Sequence, residues 1–275
     1  IGGKTTGAVT LQNKVRIQGS QSEVATALVG DSSVAASQAN TEARVTTTVN
    51  VNQGEEIAGV NNIQGIFASG VSDSLSSLAS GGNSTAKLNT ITGDHGDVAI
   101  TVSDSGFTTT SATLTAADLI AVGGKTTGTV TVTNAVKISG NTADLTNTLV
   151  SGSSSVTAGT ALVTVSDAAF STSSATIAAT ALSNIGGKTS GAVTVTKAVK
   201  ITGAAADLKN TLVSGSSLVI ASSALVTVSD AAFTTSSATI AATALSDIGG
   251  KTTGAVTVTK AVKITGAAAD LTNTM

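Results

Sequence analysis

The chain has 275 residues and a net charge of −2; 41% of its residues are hydrophobic but only 1% aromatic, and Trp, Tyr, Pro and Cys are absent. That composition excludes disulfides and thiolate metal sites, offers no basic patch for nucleic acid, and leaves no uninterrupted apolar run long enough for membrane insertion. A mean hydropathy of +0.35 with only 11% charged residues argues against disorder, so the core is expected to consist of Val, Ile, Leu, Ala and Thr methyls without large aromatic anchors.

In chain order, an Ile/Val-x-Gly turn recurs at Ile1, Ile63, Val122, Ile185 and Ile248, so successive copies stand 62, 59, 63 and 63 residues apart. The chain opens inside such a copy, without an initiator Met or signal peptide, which reads as a piece of a longer protein or its mature product. Residues 31–96 keep the spacing and lose the motif, so irregular, divergent coils are expected there. Residues 97–275 repeat regularly, and 161–206 return almost unchanged at 224–269. Each unit of 63 is itself a doublet. Strands are predicted over 100–104, 130–134, 163–167, 193–197, 226–230 and 256–260, because β-branched apolar residues alternate there with hydroxyl residues.

A second short extended piece follows at Val199, Lys200, Ile201 and Thr202. Helical spacing comes next, with Ala205, Leu208 and Leu212 in one half-unit and Ile177, Ala181, Leu182 and Ile185 in the other. Thr202 or Gly203 would begin the first of these helices, and Gly186-Gly187 would end the second. The expected fold is a mainly β repeat solenoid of about 31-residue coils, running continuously over residues 1–275, with short helical segments on one side.

Superposing the units makes Asp104, Asn134, Asp167, Lys197, Asp230 and Lys260 one stacking ladder, in which alternating charge avoids like-charge repulsion. A second, outward row forms a candidate surface-binding face, with Thr131, Thr133, Thr164, Thr194, Thr196, Thr227, Thr257 and Thr259 as its threonines. Flat Thr-x-Thr arrays resemble those of ice-binding proteins, while Thr is also an ordinary residue of solvated strand faces.

The recurrent Gly-Gly-Lys-Thr lacks the leading glycine of a phosphate-binding loop, since Leu182 and Leu245 stand at that position, and reads as a tight turn. Asp94-His95-Gly96-Asp97 is too small to supply six or more oxygen ligands to calcium, and reads as a solvated loop with an exposed histidine. With one histidine and no cysteine, nucleophilic catalysis has little to work with. No catalytic residue, metal or cofactor is expected.

The phrases TIAATALSDIGGKTTGAVTV and VKITGAAADLKNTLVSG resemble units of very long Ala/Thr/Ser/Val/Gly-rich repeat proteins secreted or displayed on the surface of bacteria, notably marine cyanobacteria. The composition is also similar to surface-layer and adhesin proteins, without the calcium-binding repeats some of them carry. The resemblance covers residues 96–275 and, more loosely, 1–28. It implies an extracellular or cell-surface location, a structural or adhesive role and no active-site residues. The expected function is therefore the repeat segment of an extracellular fibre, sheath, surface layer or adhesin stalk that self-associates end to end or side by side. The alternative is a surface-recognition module that binds ice, glycan or another cell.

Overall fold

The computed structural model describes residues 9–30, 34–39, 41–108, 113–171, 176–234 and 239–274. The turn at Ile1 and the first Gly-Gly-Lys-Thr lie outside them, as do Asp31 to Ser33 and Asn40 of the divergent stretch. The fold is α/β, with many short strands in several small sheets and, among the described residues, ten α-helices. This overturns the mainly β solenoid expected from the repeats.

The reason lies in strand pairing. Apart from the small antiparallel pair Ala79–Ser80 with Asn83–Ser84, neighbouring strands in every sheet are parallel. A parallel neighbour can be reached only by a crossover of a dozen or more residues. The helices supply that return. They are constitutive elements of the fold and not short additions to one side of a β coil.

The chain divides into two compact units, one comprising 1–105, 117–134 and 152–157, the other 106–116, 135–151 and 158–275. In the first, one sheet joins Arg16–Gly19, Thr41–Val45 and Ile63–Phe67. Another runs Val71–Asp73, Ile100–Val102, Val130–Val132, Val156–Thr157. In the second unit, one sheet runs Leu114–Thr115, Lys137–Gly140, Leu162–Val165, Val193–Val195, Val219–Ile220. The next runs Ile177–Ala178, Lys200–Gly203, Leu225–Val228, Val256–Val258. The near-identical strands Leu162–Val165 and Leu225–Val228, one full repeat apart, therefore never pair with each other. Each occupies the same rank in its own sheet, and the chain shuttles between the two.

Alternation within the strands does what the sequence demands. Val163 and Val165 are buried while Thr164 between them is only half-buried, and Val193 and Val195 repeat the pattern around Thr194. Leu182 and Ile185 from the Ala179–Gly186 helix, with Ile201 and Leu208, complete the core of the second unit at 0% exposure. Burying each such side chain contributes about 1.5–3 kcal/mol.

Two short helices of this unit, Thr142–Leu145 and Ala205–Leu208, continue into π-helical turns, Thr146–Val150 and Lys209–Val213. At the matching positions, the fully buried Thr148 and Thr211 direct their hydroxyls to the carbonyls of Asp144 and Asp207, four residues back, at 2.7 and 2.8 Å. Those hydroxyls compete for the carbonyl an α-helix would use, which favours the longer i to i−5 pattern. The same oxygens reach the carbonyls of Ala116 and Ala179, at 3.2 and 2.9 Å, and so tie each π-turn to the start of another helix.

Candidate functional site

The six ladder residues resolve into three couples. Asp104 and Asn134 follow the registered pair Val102 and Val132, Asp167 and Lys197 follow Val165 and Val195, and Asp230 and Lys260 follow Val228 and Val258. Each couple belongs to a different sheet. Among the described residues no ion pair joins a ladder carboxylate to a ladder lysine; the pairs formed are Arg16 with Glu42, His95 with Asp97 and Lys209 with Asp247.

The carboxylates act instead as acceptors for the first backbone N–H of a helix elsewhere in the chain. Asp104 accepts from Leu75 N at 2.6 Å, Asp167 from Thr142 N at 2.7 Å, and Asp230 from Ala205 N at 2.7 Å. Asp73 does the same for Val51 at 3.1 Å. A helix begins with unsatisfied N–H groups and a partial positive charge, so a carboxylate is well placed there. Lys197, Lys260 and Asn134 are exposed, and the Asn134 side chain donates to the Asp104 carbonyl at 2.7 Å.

The threonine row is likewise divided among sheets. Thr164 pairs with Thr194, Thr227 with Thr257, and Thr131 with Thr101 and Thr157. Thr131 and Thr257 are exposed, Thr164 and Thr194 half-buried, and Thr227 buried. Thr133, Thr196 and Thr259 are exposed but turn their hydroxyls back onto the carbonyls of Val102, Val165 and Val228, at 3.3–3.4 Å. Ile220 interrupts the row beside Thr194.

The Gly-Gly-Lys-Thr turns are clamps. Thr126, Thr189 and Thr252 donate their hydroxyls to the carbonyls of Val98, Ala161 and Ala224 at 2.6, 2.5 and 2.5 Å, and each accepts from the glycine N–H two residues on. The turn is thus spent on holding a segment 28 residues earlier in the chain, and its threonine has no resemblance in role to a phosphate ligand.

His95 is not the exposed loop histidine expected. Its side chain is 17% exposed, Nε2 lies 3.2 Å from Asp97, and Nδ1 accepts the N–H of Phe67 at 3.0 Å. Beside it, Asp94 accepts the N–H of Gly65 at 2.9 Å. Burial holds the Asp94 carboxyl above its usual range, and the Gly65 hydrogen bond partly opposes that shift.

One recurrent feature escaped the sequence reading. Lys137, Lys200 and Lys263 place their ammonium groups 5.5, 5.1 and 5.8 Å from the ring centres of Phe107, Phe170 and Phe233. The signal was present, since three of the four phenylalanines recur with the repeat and each lysine follows 30 residues later. Of the three only the Lys263–Phe233 contact is exposed on both sides, where such a pair contributes about 0.5–1 kcal/mol.

An open groove of about 460 Å³ in the second unit is lined by Thr142, Thr146, Asn147, Asp167, Ile177 and Ala181, among others. Its acidic group is already committed to the Thr142 backbone and hydroxyl. Among the described residues no cluster of three or more His, Asp or Glu could hold a metal ion, and no helix is long and apolar enough to cross a membrane. Comparison with protein-family models, curated proteins and solved structures produced no match.

Proposed function

We propose that this chain is a non-enzymatic structural protein, the repeat segment of an extracellular fibre, sheath, surface layer or adhesin stalk, and that it self-associates end to end or side by side. The observation that carries the reading is where the recurrent polar side chains go. Asp104, Asp167 and Asp230 hold helix starts, Thr126, Thr189 and Thr252 clamp earlier segments, and Thr148 and Thr211 tie helices together. Residues that recur through the regular repeats are thus used to make the repeat. This fits a chain whose product is the repeated structure itself.

Immunogold electron microscopy of the cells that make the protein tests the proposal. Label on fibres, sheaths or layers outside the cell is expected; label confined to the cell interior, on compact particles, would overturn it.

A second reading, surface recognition, is favoured by one specific row. Ser72, Thr101, Thr131 and Thr157 stand in register across four parallel strands. Thermal hysteresis and glycan-array binding test that row, and abolition of either activity by Thr131→Val is the result expected if it serves recognition.

A further inference from the structure

The sheet of Arg16–Gly19, Thr41–Val45 and Ile63–Phe67 ends on the strand Ile63–Phe67. The unpaired side of an edge strand presents N–H and C=O groups that must be satisfied or left to water and other chains. Elsewhere in this fold a strand is covered on that side by another strand. Val130 N donates to the Ser155 carbonyl beside Val156–Thr157, and Val193 N donates to the Leu218 carbonyl beside Val219–Ile220, both at 3.0 Å.

At Ile63–Phe67 the helix Ala86–Asp94 stands in the corresponding stretch of chain, and its end meets the edge with side chains. Gly65 N donates to the Asp94 carboxylate and Phe67 N to His95 Nδ1. Gln64 Nε2 adds a longer contact to the Asp94 carbonyl at 3.4 Å. Two acceptors that do not titrate are thus replaced here by two that do.

We propose that Asp94 and His95 form a pH-sensitive plug on this sheet edge, which protonation of His95 releases. The chemistry follows from which nitrogen is in use. To accept from Phe67, Nδ1 must be bare, so neutral His95 carries its proton on Nε2, facing Asp97. A second proton can go only to Nδ1. It converts that acceptor into a donor facing another donor, and the Phe67 N–H loses its partner.

The titratable groups around the ring are few. Asp94 precedes it, and Asp97, with a side chain 76% exposed, is the only carboxylate of the described residues within ion-pair distance. The Ile63–Phe67 strand brings no charge. The helix Val51–Ala58, packed on that strand, carries Glu55 and Glu56, and the neighbouring strand carries Arg44 and Glu42, the latter paired with Arg16. Asp97 lies on the Nε2 side of the ring in solvent, where such pairs are weak. It cannot replace the bond from Phe67 N to Nδ1. The inference stands independently of the structural role proposed above.

Hydrogen-exchange protection factors for the Phe67 amide, followed by NMR on the full chain, test the plug. Between about pH 8 and about pH 5, protection of Phe67 is expected to fall about tenfold, as loss of one hydrogen bond to a ring that gains a proton requires. His95→Asn, whose Oδ1 can stand near the position of Nδ1 and does not titrate, is expected to stay protected throughout. His95→Ala is expected to be unprotected at both ends of the range. A flat wild-type profile, or the same fall in His95→Asn, would overturn the proposal. So would imidazole nitrogen shifts that place the neutral ring's proton on Nδ1, a measurement that needs no variant.

Discussion

Asp230 shows how a residue can be conspicuous in a repeat for a reason its neighbours in sequence do not reveal. The alternation of Asp and Lys suggested cross-strand charge pairing, yet the Asp230 carboxylate accepts the Ala205 N–H at 2.7 Å and no lysine approaches it within ion-pair distance among the described residues. Asp230→Ala is expected to cost about 1 kcal/mol, the usual value of a lost helix-start acceptor, measured by urea unfolding. Lys260→Ala, the removal of its supposed partner, is expected to lie within about 0.5 kcal/mol of wild type, as for an exposed side chain without a special contact. Thr211 is the buried counterpart. It is fully enclosed and its hydroxyl bridges the Ala179 and Asp207 carbonyls, so the near-isosteric Thr211→Val is expected to cost about 1–3 kcal/mol by the same measurement.

Elements were partly legible. Val163, Val165, Val193 and Val195 alternate with threonine, and the strands formed where that pattern lay. The spacing of Ile177, Ala181, Leu182 and Ile185 fits the helix Ala179–Gly186, whose first of these residues belongs instead to the preceding strand Ile177–Ala178. What the pattern could not give was the partner of each strand, because near-identical segments offer the same face to several candidates and only the crossover length decides among them. Glycine carried a clue of another kind. A Cβ on Gly186 would sit 2.9 Å from the Ser217 carbonyl carbon and press on its oxygen, and one on Gly123 would meet Ser154 in the same way, while the equivalent Gly249 has nothing within 4 Å. Gly186→Ala is therefore expected to destabilise by about 1–3 kcal/mol through overpacking. Gly249→Ala, at the end of a helix of the same sequence type, is expected to be neutral or stabilising by up to about 1 kcal/mol. Thermal unfolding of the two variants side by side distinguishes a glycine kept for close approach from one that merely recurs.

For the molecule as a whole, the period of 63 residues gives each successive sheet the same succession of strands. That period stands in the sequence, where the half-period predicts a coil stacked directly on the next. Pairing keeps that stacking only within each couple of strands, as between Leu162–Val165 and Val193–Val195, and breaks it from one couple to the next. Thr194 lies between Thr164 and Ile220, and Thr227 between Thr202 and Thr257, so Thr194 and Thr227 belong to different sheets although a single ladder would make them neighbours. The candidate site shares this division: the charged ladder and the threonine face, each continuous in the repeat pattern, are split sheet by sheet. His95 was illegible for a simpler reason: its partner is the Phe67 backbone, 28 residues away, and a backbone N–H has no signature in a sequence. The absence of native cysteine allows the pairing to be tested directly. Disulfide trapping in two double variants, Thr202→Cys with Thr227→Cys and Thr194→Cys with Thr227→Cys, read by mass spectrometry after mild oxidation, compares the two arrangements. Crosslinking in the first and none in the second is the result expected from alternating sheets; crosslinking in the second and none in the first would contradict them.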